Sequence, residues 1–107
     1  MAAETDIASQ KATSFIALLK KNGIDVSEAY LFGSAARGEA DKESDIDVAI
    51  VSKDFGGIPF YDIRKISRYR RQVDLRLEIH TFSLHDLEAG PSLFFNKIKK
   101  EGIQLKP

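Results

Sequence analysis

Residues 44–52 read SDIDVAIVS, an apolar run in which Asp45 and Asp47 stand one residue apart. Strand side chains alternate between faces, so Ile46, Val48 and Ile50 share one face and both aspartates take the other. A chain with this segment needs a sheet with one buried face and a second face that accommodates two carboxylates. Their alpha carbons lie roughly 6.6 Å apart. Like charges this close repel each other and lose hydration. A divalent cation reverses the sign: magnesium–oxygen bonds are about 2.0–2.1 Å and an octahedral ion accepts several of them. For an isolated pair, the plainer reading is a half-exposed strand whose acids face water.

The preceding residues change that balance. EAYLF, residues 28–32, reads as a short strand ending at Gly33-Ser34, and Ala35 to Gly38 as a helical turn. Such a corner leaves backbone amides open to phosphate oxygens. Gly33 allows close approach. The Ser34 hydroxyl can donate to a terminal phosphate, and its plainer role as a helix N-cap is compatible with that. Arg37 either reaches the same phosphates or ties the loop down.

The rest of the chain supplies the frame. Its 107 residues suit one domain, 1–107. Ile7, Ala8, Ala12, Phe15, Ile16 and Leu19 recur at helical spacing, predicting a helix over 5–21 that stops at Asn22-Gly23. Phe55-Gly56-Gly57 breaks the second strand. A helix over 60–71 carries Ile63, Ile66 and Tyr69 on one side and most of its bases on the other. Val73 to Thr81 alternates as a third strand, with Asp74, Glu78 and His80 on its polar face. Ser83 caps a short turn. Pro91 opens a last helix with Leu93, Phe94, Phe95 and Ile98, which Gly102 ends. Ile103 and Leu105 predict a small edge strand. The fold class is α/β, a small mixed β-sheet flanked by helices.

Lys+Arg and Asp+Glu balance at 16 each, so no overall charge draws the chain to nucleic acid or membrane. Bases cluster locally at Arg64, Lys65, Arg68, Arg70 and Arg71. Without cysteine there is neither disulfide nor thiolate zinc site. MAAETDIASQ lacks the pattern of a secretory leader, and no apolar run approaches about 20 residues. These features set the expectation of a cytoplasmic protein. His80 and His85 read as ordinary polar residues, His80 with some claim as a site neighbour because it shares the face of Glu78.

Gly33-Ser34, ten residues, then Asp45-x-Asp47 resembles the signature of nucleotidyltransferases in the DNA polymerase β superfamily. The wording GSAARGEADKESDIDVAI resembles the minimal nucleotidyltransferases, small proteins often paired with a HEPN-domain partner in toxin–antitoxin modules. The resemblance implies a polymerase β-like fold. Gly33 and Ser34, with Arg37 beside them, would contact the nucleotide, ATP. Asp45 and Asp47 would hold magnesium. A third carboxylate, catalytic and metal-binding, is expected on a neighbouring strand. Asp74 and Glu78 compete for it, and Glu78 is favoured because it lies nearer the loop-proximal end. The implied reaction moves AMP onto an acceptor hydroxyl, a tyrosine of a HEPN toxin. The alternative is a non-catalytic antitoxin that binds its partner by contact, through the basic helix or Phe94-Phe95. Drug-modifying relatives use extra structure to hold the acceptor. A chain of this length would borrow that site in a homo- or hetero-oligomer.

Overall fold

A computed structural model describes residues 4–41 and 43–107. Residues 1–3 of the amino-terminal stretch, and Lys42 in the acidic loop, lie outside the described residues. The elements are α1 (Glu4–Lys21), β1 (Glu28–Phe32), α2 (Gly33–Ala36), β2 (Ile46–Ser52), α3 (Pro59–Val73), β3 (Leu77–Ser83), α4 (Leu84–Ala89), α5 (Leu93–Glu101) and β4 (Ile103–Leu105). They form one four-stranded sheet in the order β3-β2-β1-β4. β1 is antiparallel to β2 and β4, whereas β2 and β3 run parallel. The starts of β2 and β3 therefore meet the end of β1 at one edge of the molecule.

One face of the sheet is sealed. Ala8, Ala12, Phe15, Ile16 and Leu19 of α1, with Ile66 and Tyr69 of α3, pack on Leu31, Val48, Ile50 and Leu77. Burying each large apolar side chain there stabilises the fold by about 1.5–3 kcal/mol. The other face is sealed only in part. Tyr30, Ala49 and Val51 meet Phe95 and Ile98 of α5, with Phe32, Phe82 and α4 packed alongside. The Tyr30 hydroxyl donates to Glu28 Oε1 at 2.7 Å, and burial together with that carboxylate pushes its pKa up to about 12.

The third strand begins at Leu77, four residues later than the alternation from Val73 predicts. Ile66, Tyr69 and Val73 continue the helical spacing, and Val73 packs against the core as the last residue of α3. Helical packing thus overrides a period-two pattern that Leu75, largely exposed, does not use. Arg70 donates to the carbonyls of Leu75 and Leu77, both at 3.3 Å, and holds the helix-to-strand turn. The second strand starts at Ile46, with Asp45 just before it, and the helical turn after β1 starts at Gly33 rather than Ala35. The Phe55-Gly56-Gly57 break is closed by Asp62, only 2% exposed. Its two carboxylate oxygens accept from the Gly56 and Gly57 amides at 2.8 and 2.9 Å. That tie sets where α3 leaves the sheet and so helps bring β3 back parallel to β2.

Candidate active site

Register places the chemistry. Asp47 pairs with Phe32 on one side and Glu78 on the other, and Ala49 pairs with His80. Asp47, Glu78 and His80 consequently stand on the partly open face, with Phe94 of α5 reaching only as far as His80. Each offers one ligand atom, and these atoms lie within 4.8 Å of one another. The His80 Nε2 is 3.4 Å from Asp47 Oδ1. Its ring stacks edge-on against Phe32 with centroids 4.9 Å apart.

Asp45, just before β2, shares a side-chain hydrogen bond with Glu78 but lies outside the group whose ligand atoms converge. Two carboxyl groups share such a bond only with a proton between them, and the Glu78 carboxyl accordingly lies above its ordinary value of 4.5. Partial desolvation raises it first, then the charge of Asp47, then Asp45, while His80 pulls the other way. Glu78 as a residue is exposed, which limits the desolvation, so the neighbouring carboxylates matter most chemically. A group that favours a shared proton also favours a cation in its place. Asp47, Glu78 and His80 converge closely enough to hold a divalent ion, and Asp45 beside Glu78 adds a further carboxylate to its surroundings.

Gly33 is the floor of the site. Its φ of +71° belongs to the left-handed region, and a Cβ there would stand 2.5 Å from Asp47 Oδ2. No side chain can occupy this corner while Asp47 keeps its position. Ser34 is half-buried and begins α2 with it. Arg37 is exposed after that turn, with its Nε 3.1 Å from Glu39 Oε2. Together with Gly33 and Phe32 it borders a cavity of about 240 Å³ whose far wall is α5.

Of the residues singled out from sequence, Gly33, Asp47 and Glu78 come together, and Asp45 joins them only through Glu78. Ser34 and Arg37 flank them. Asp74 does not join them: it caps α3 and pairs with Arg76 at 3.4 Å and Lys11 at 3.8 Å. Desolvation opposes ionisation there, but the hydrogen bonds and charge of Arg76 outweigh it and leave its pKa lowered. His85 lies on α4, outside the cluster. Phe95 is core at 6% exposure, whereas Phe94 is 49% exposed and stacks edge-on with Phe32 and His80. The aromatic rim of Phe32 and Phe94 was not read from sequence. Its signals are the pairing of Phe32 with Asp47 and the helical spacing of α5.

Residues 14–106 match the family model described as polymerase beta, nucleotidyltransferase. The chain belongs to that nucleotidyltransferase family. Its fold is similar to the crystal structure of a candidate nucleotidyltransferase from Sulfolobus solfataricus, with a TM-score of 0.66 and 17% identity. The superposition covers 94% of this chain and 81% of the other, and at that identity the likeness is one of fold. No curated protein matches the chain in sequence. No helix among the described residues is long and apolar enough to cross a membrane.

Proposed function

We propose that the protein transfers AMP from ATP to an acceptor hydroxyl. The observation that carries this reading is the convergence of Asp47, Glu78 and His80, with Asp45 beside Glu78, next to a glycine whose Cβ would meet Asp47. Asp47 and Glu78, with Asp45 beside them, would hold magnesium, which would supply charge neutralisation at the phosphates. The Gly33-Ser34 corner seats the triphosphate and Arg37 reaches it, which aligns the α-phosphorus with the acidic group. Glu78, with its pKa above the ordinary carboxylate value, takes the proton of the acceptor hydroxyl. The acceptor oxygen bonds to the α-phosphorus, the bond to the bridging oxygen of the β-phosphate breaks, and pyrophosphate leaves.

The acceptor is a tyrosine of a HEPN-domain toxin, and the transfer makes this protein an antitoxin. The local likeness of residues 33–50 to the minimal nucleotidyltransferases supports that choice. The test is incubation with radiolabelled ATP, magnesium and the HEPN partner. Label appears on the partner with the unsubstituted chain and not with Asp45→Ala/Asp47→Ala. No transfer by the unsubstituted chain, or equal transfer by both, defeats the reading.

A second reading is neutralisation by contact alone. It rests on α3, where Phe60, Arg64, Lys65, Arg68 and Arg71 border an open cavity of about 720 Å³. Full neutralisation of the toxin by the double-alanine variant selects it.

A further inference from the structure

The acceptor is the reactant for which the carboxylate group provides no seat. Glu78 stands on β3, and β3 is an outer strand of the sheet. We propose that an extended, acidic segment of the acceptor polypeptide adds to the edge of β3 as a further strand and carries its hydroxyl side chain to Glu78. This rests on the reading of Glu78 as the base of a transfer reaction.

The Ile46 amide donates to the Arg76 carbonyl at 2.7 Å. Main-chain groups alternate sideways along a strand. In the parallel ladder Glu78, His80 and Phe82 therefore turn theirs toward β2, while Leu77, Ile79 and Thr81 turn theirs outward. Leu77 is already satisfied: its amide donates to the Asp74 carbonyl at 3.2 Å, and its carbonyl accepts from Arg70 at 3.3 Å. The edge is left open at Ile79 and Thr81. Such a row of donors and acceptors is a template for another strand. The buried Thr81 hydroxyl oxygen also lacks a hydrogen-bond partner among the described residues.

Alternation then assigns the side chains of the added strand. A residue opposite Glu78 shares its face, with Cβ atoms about 4.5–5.5 Å apart, so a hydroxyl side chain there stands at the carboxylate group. Its two neighbours point to the other face. There a groove of about 290 Å³ lies between α3 and β3, with Ile63, Ile66, Leu77 and Ile79 in its wall. Apolar side chains fit it. Ile63 and Ser67 also border the broader cavity lined by Arg64, Lys65, Arg68 and Arg71. None of these four bases forms an ion pair among the described residues. The groove opens onto positive charge that an acidic segment complements. A second copy of this chain paired through β3 would set two such basic helices side by side, so charge disfavours it.

The experiment is calorimetry on the full chain with magnesium and a synthetic peptide blocked at both ends: a tyrosine between two valines, with two acidic residues on each side. The peptide binds the unsubstituted chain. Methylating its three central amide nitrogens weakens it by about tenfold or more, because the added strand loses its donors. Thr81→Pro, which removes one outward amide, weakens the unmethylated peptide about tenfold. Arg68→Glu/Arg71→Glu weakens it about fivefold and removes the salt dependence of binding. No binding up to about 1 mM, or equal binding of the methylated peptide, overturns the proposal without altering the protein. A dimer of the unsubstituted chain that Thr81→Pro splits in sedimentation gives the edge to a second copy and overturns it too. If the peptide binds but neither it nor the HEPN partner is labelled from ATP, the transfer reading falls and takes the acceptor role with it. If the partner is labelled and Thr81→Pro labels it equally, only this assignment falls.

Discussion

The two faces of the sheet are built from the same strands and serve opposite ends. On the face under α1 and α3, Leu31, Val48, Ile50 and Leu77 are wholly buried in one hydrophobic cluster. On the other face the same strands present Phe32, Asp47, Glu78 and His80, and the helical cover reaches only Phe32 and His80, through Phe94. One residue of displacement along β2 separates Val48, sealed in the core, from Asp47, open to a ligand. The lesson is that the sealed face supplies the stability that lets the other face keep three crowded carboxylates. Substitutions should separate the two roles.

The largest effect belongs to the open face. Asp45→Ala/Asp47→Ala lowers nucleotidyl transfer by at least about 10³-fold, about 4 kcal/mol of transition-state stabilisation. The apo chain unfolds in denaturant at no lower midpoint, because like charges have been removed. A loss of stability equal to that of a core variant would erase the contrast between faces. The sealed face gives the reverse pattern. Phe15→Ala, at a residue 0% exposed, lowers the unfolding free energy by about 3 kcal/mol or more. The fraction that stays folded keeps its affinity for nucleotide, as measured by calorimetry below the transition.

Gly33→Ala tests the boundary between the faces. Positive φ costs an alanine about 1–2 kcal/mol, and its Cβ displaces the Asp47 carboxylate. Both stability and triphosphate affinity fall, and a variant that loses only one of them shows that corner and carboxylate are uncoupled. The smallest effect is that of pH. The Glu78 carboxyl holds its proton more tightly in the folded chain than its ordinary value of 4.5. The folded state then binds more protons than the unfolded one, and stability falls as pH rises from 4.5 through the raised value. Glu78→Gln removes this dependence and raises the apo stability near neutral pH by less than about 1 kcal/mol, since the residue is exposed. A pH profile identical in both proteins places the proton elsewhere.

Much of this arrangement was legible in the residues. The alternation of Ile46, Val48 and Ile50 with Asp47 assigned faces to β2 because a strand has a strict period of two. Gly33 announced a corner because few residues tolerate one so tight. The same local reasoning failed at Val73 and Leu75, where a period-two pattern overlapped the end of a helical one. Only packing against the core decides which period such a stretch obeys, and here the helix kept Val73.

By itself the sequence determined which side-chain types could bind a cation and a phosphate, and that Asp47 lies opposite Val48 across the sheet, since these follow from side-chain chemistry and backbone geometry within a few residues. Tertiary structure alone decided that Glu78 rather than Asp74 stands beside Asp47 and that His80 lies against it, and that Phe94 of α5 closes over His80. Those choices depend on the parallel register of β2 with β3 and on the seating of α5 on β1. Both are contacts between residues far apart in the chain, whose geometry comes from how the whole core packs.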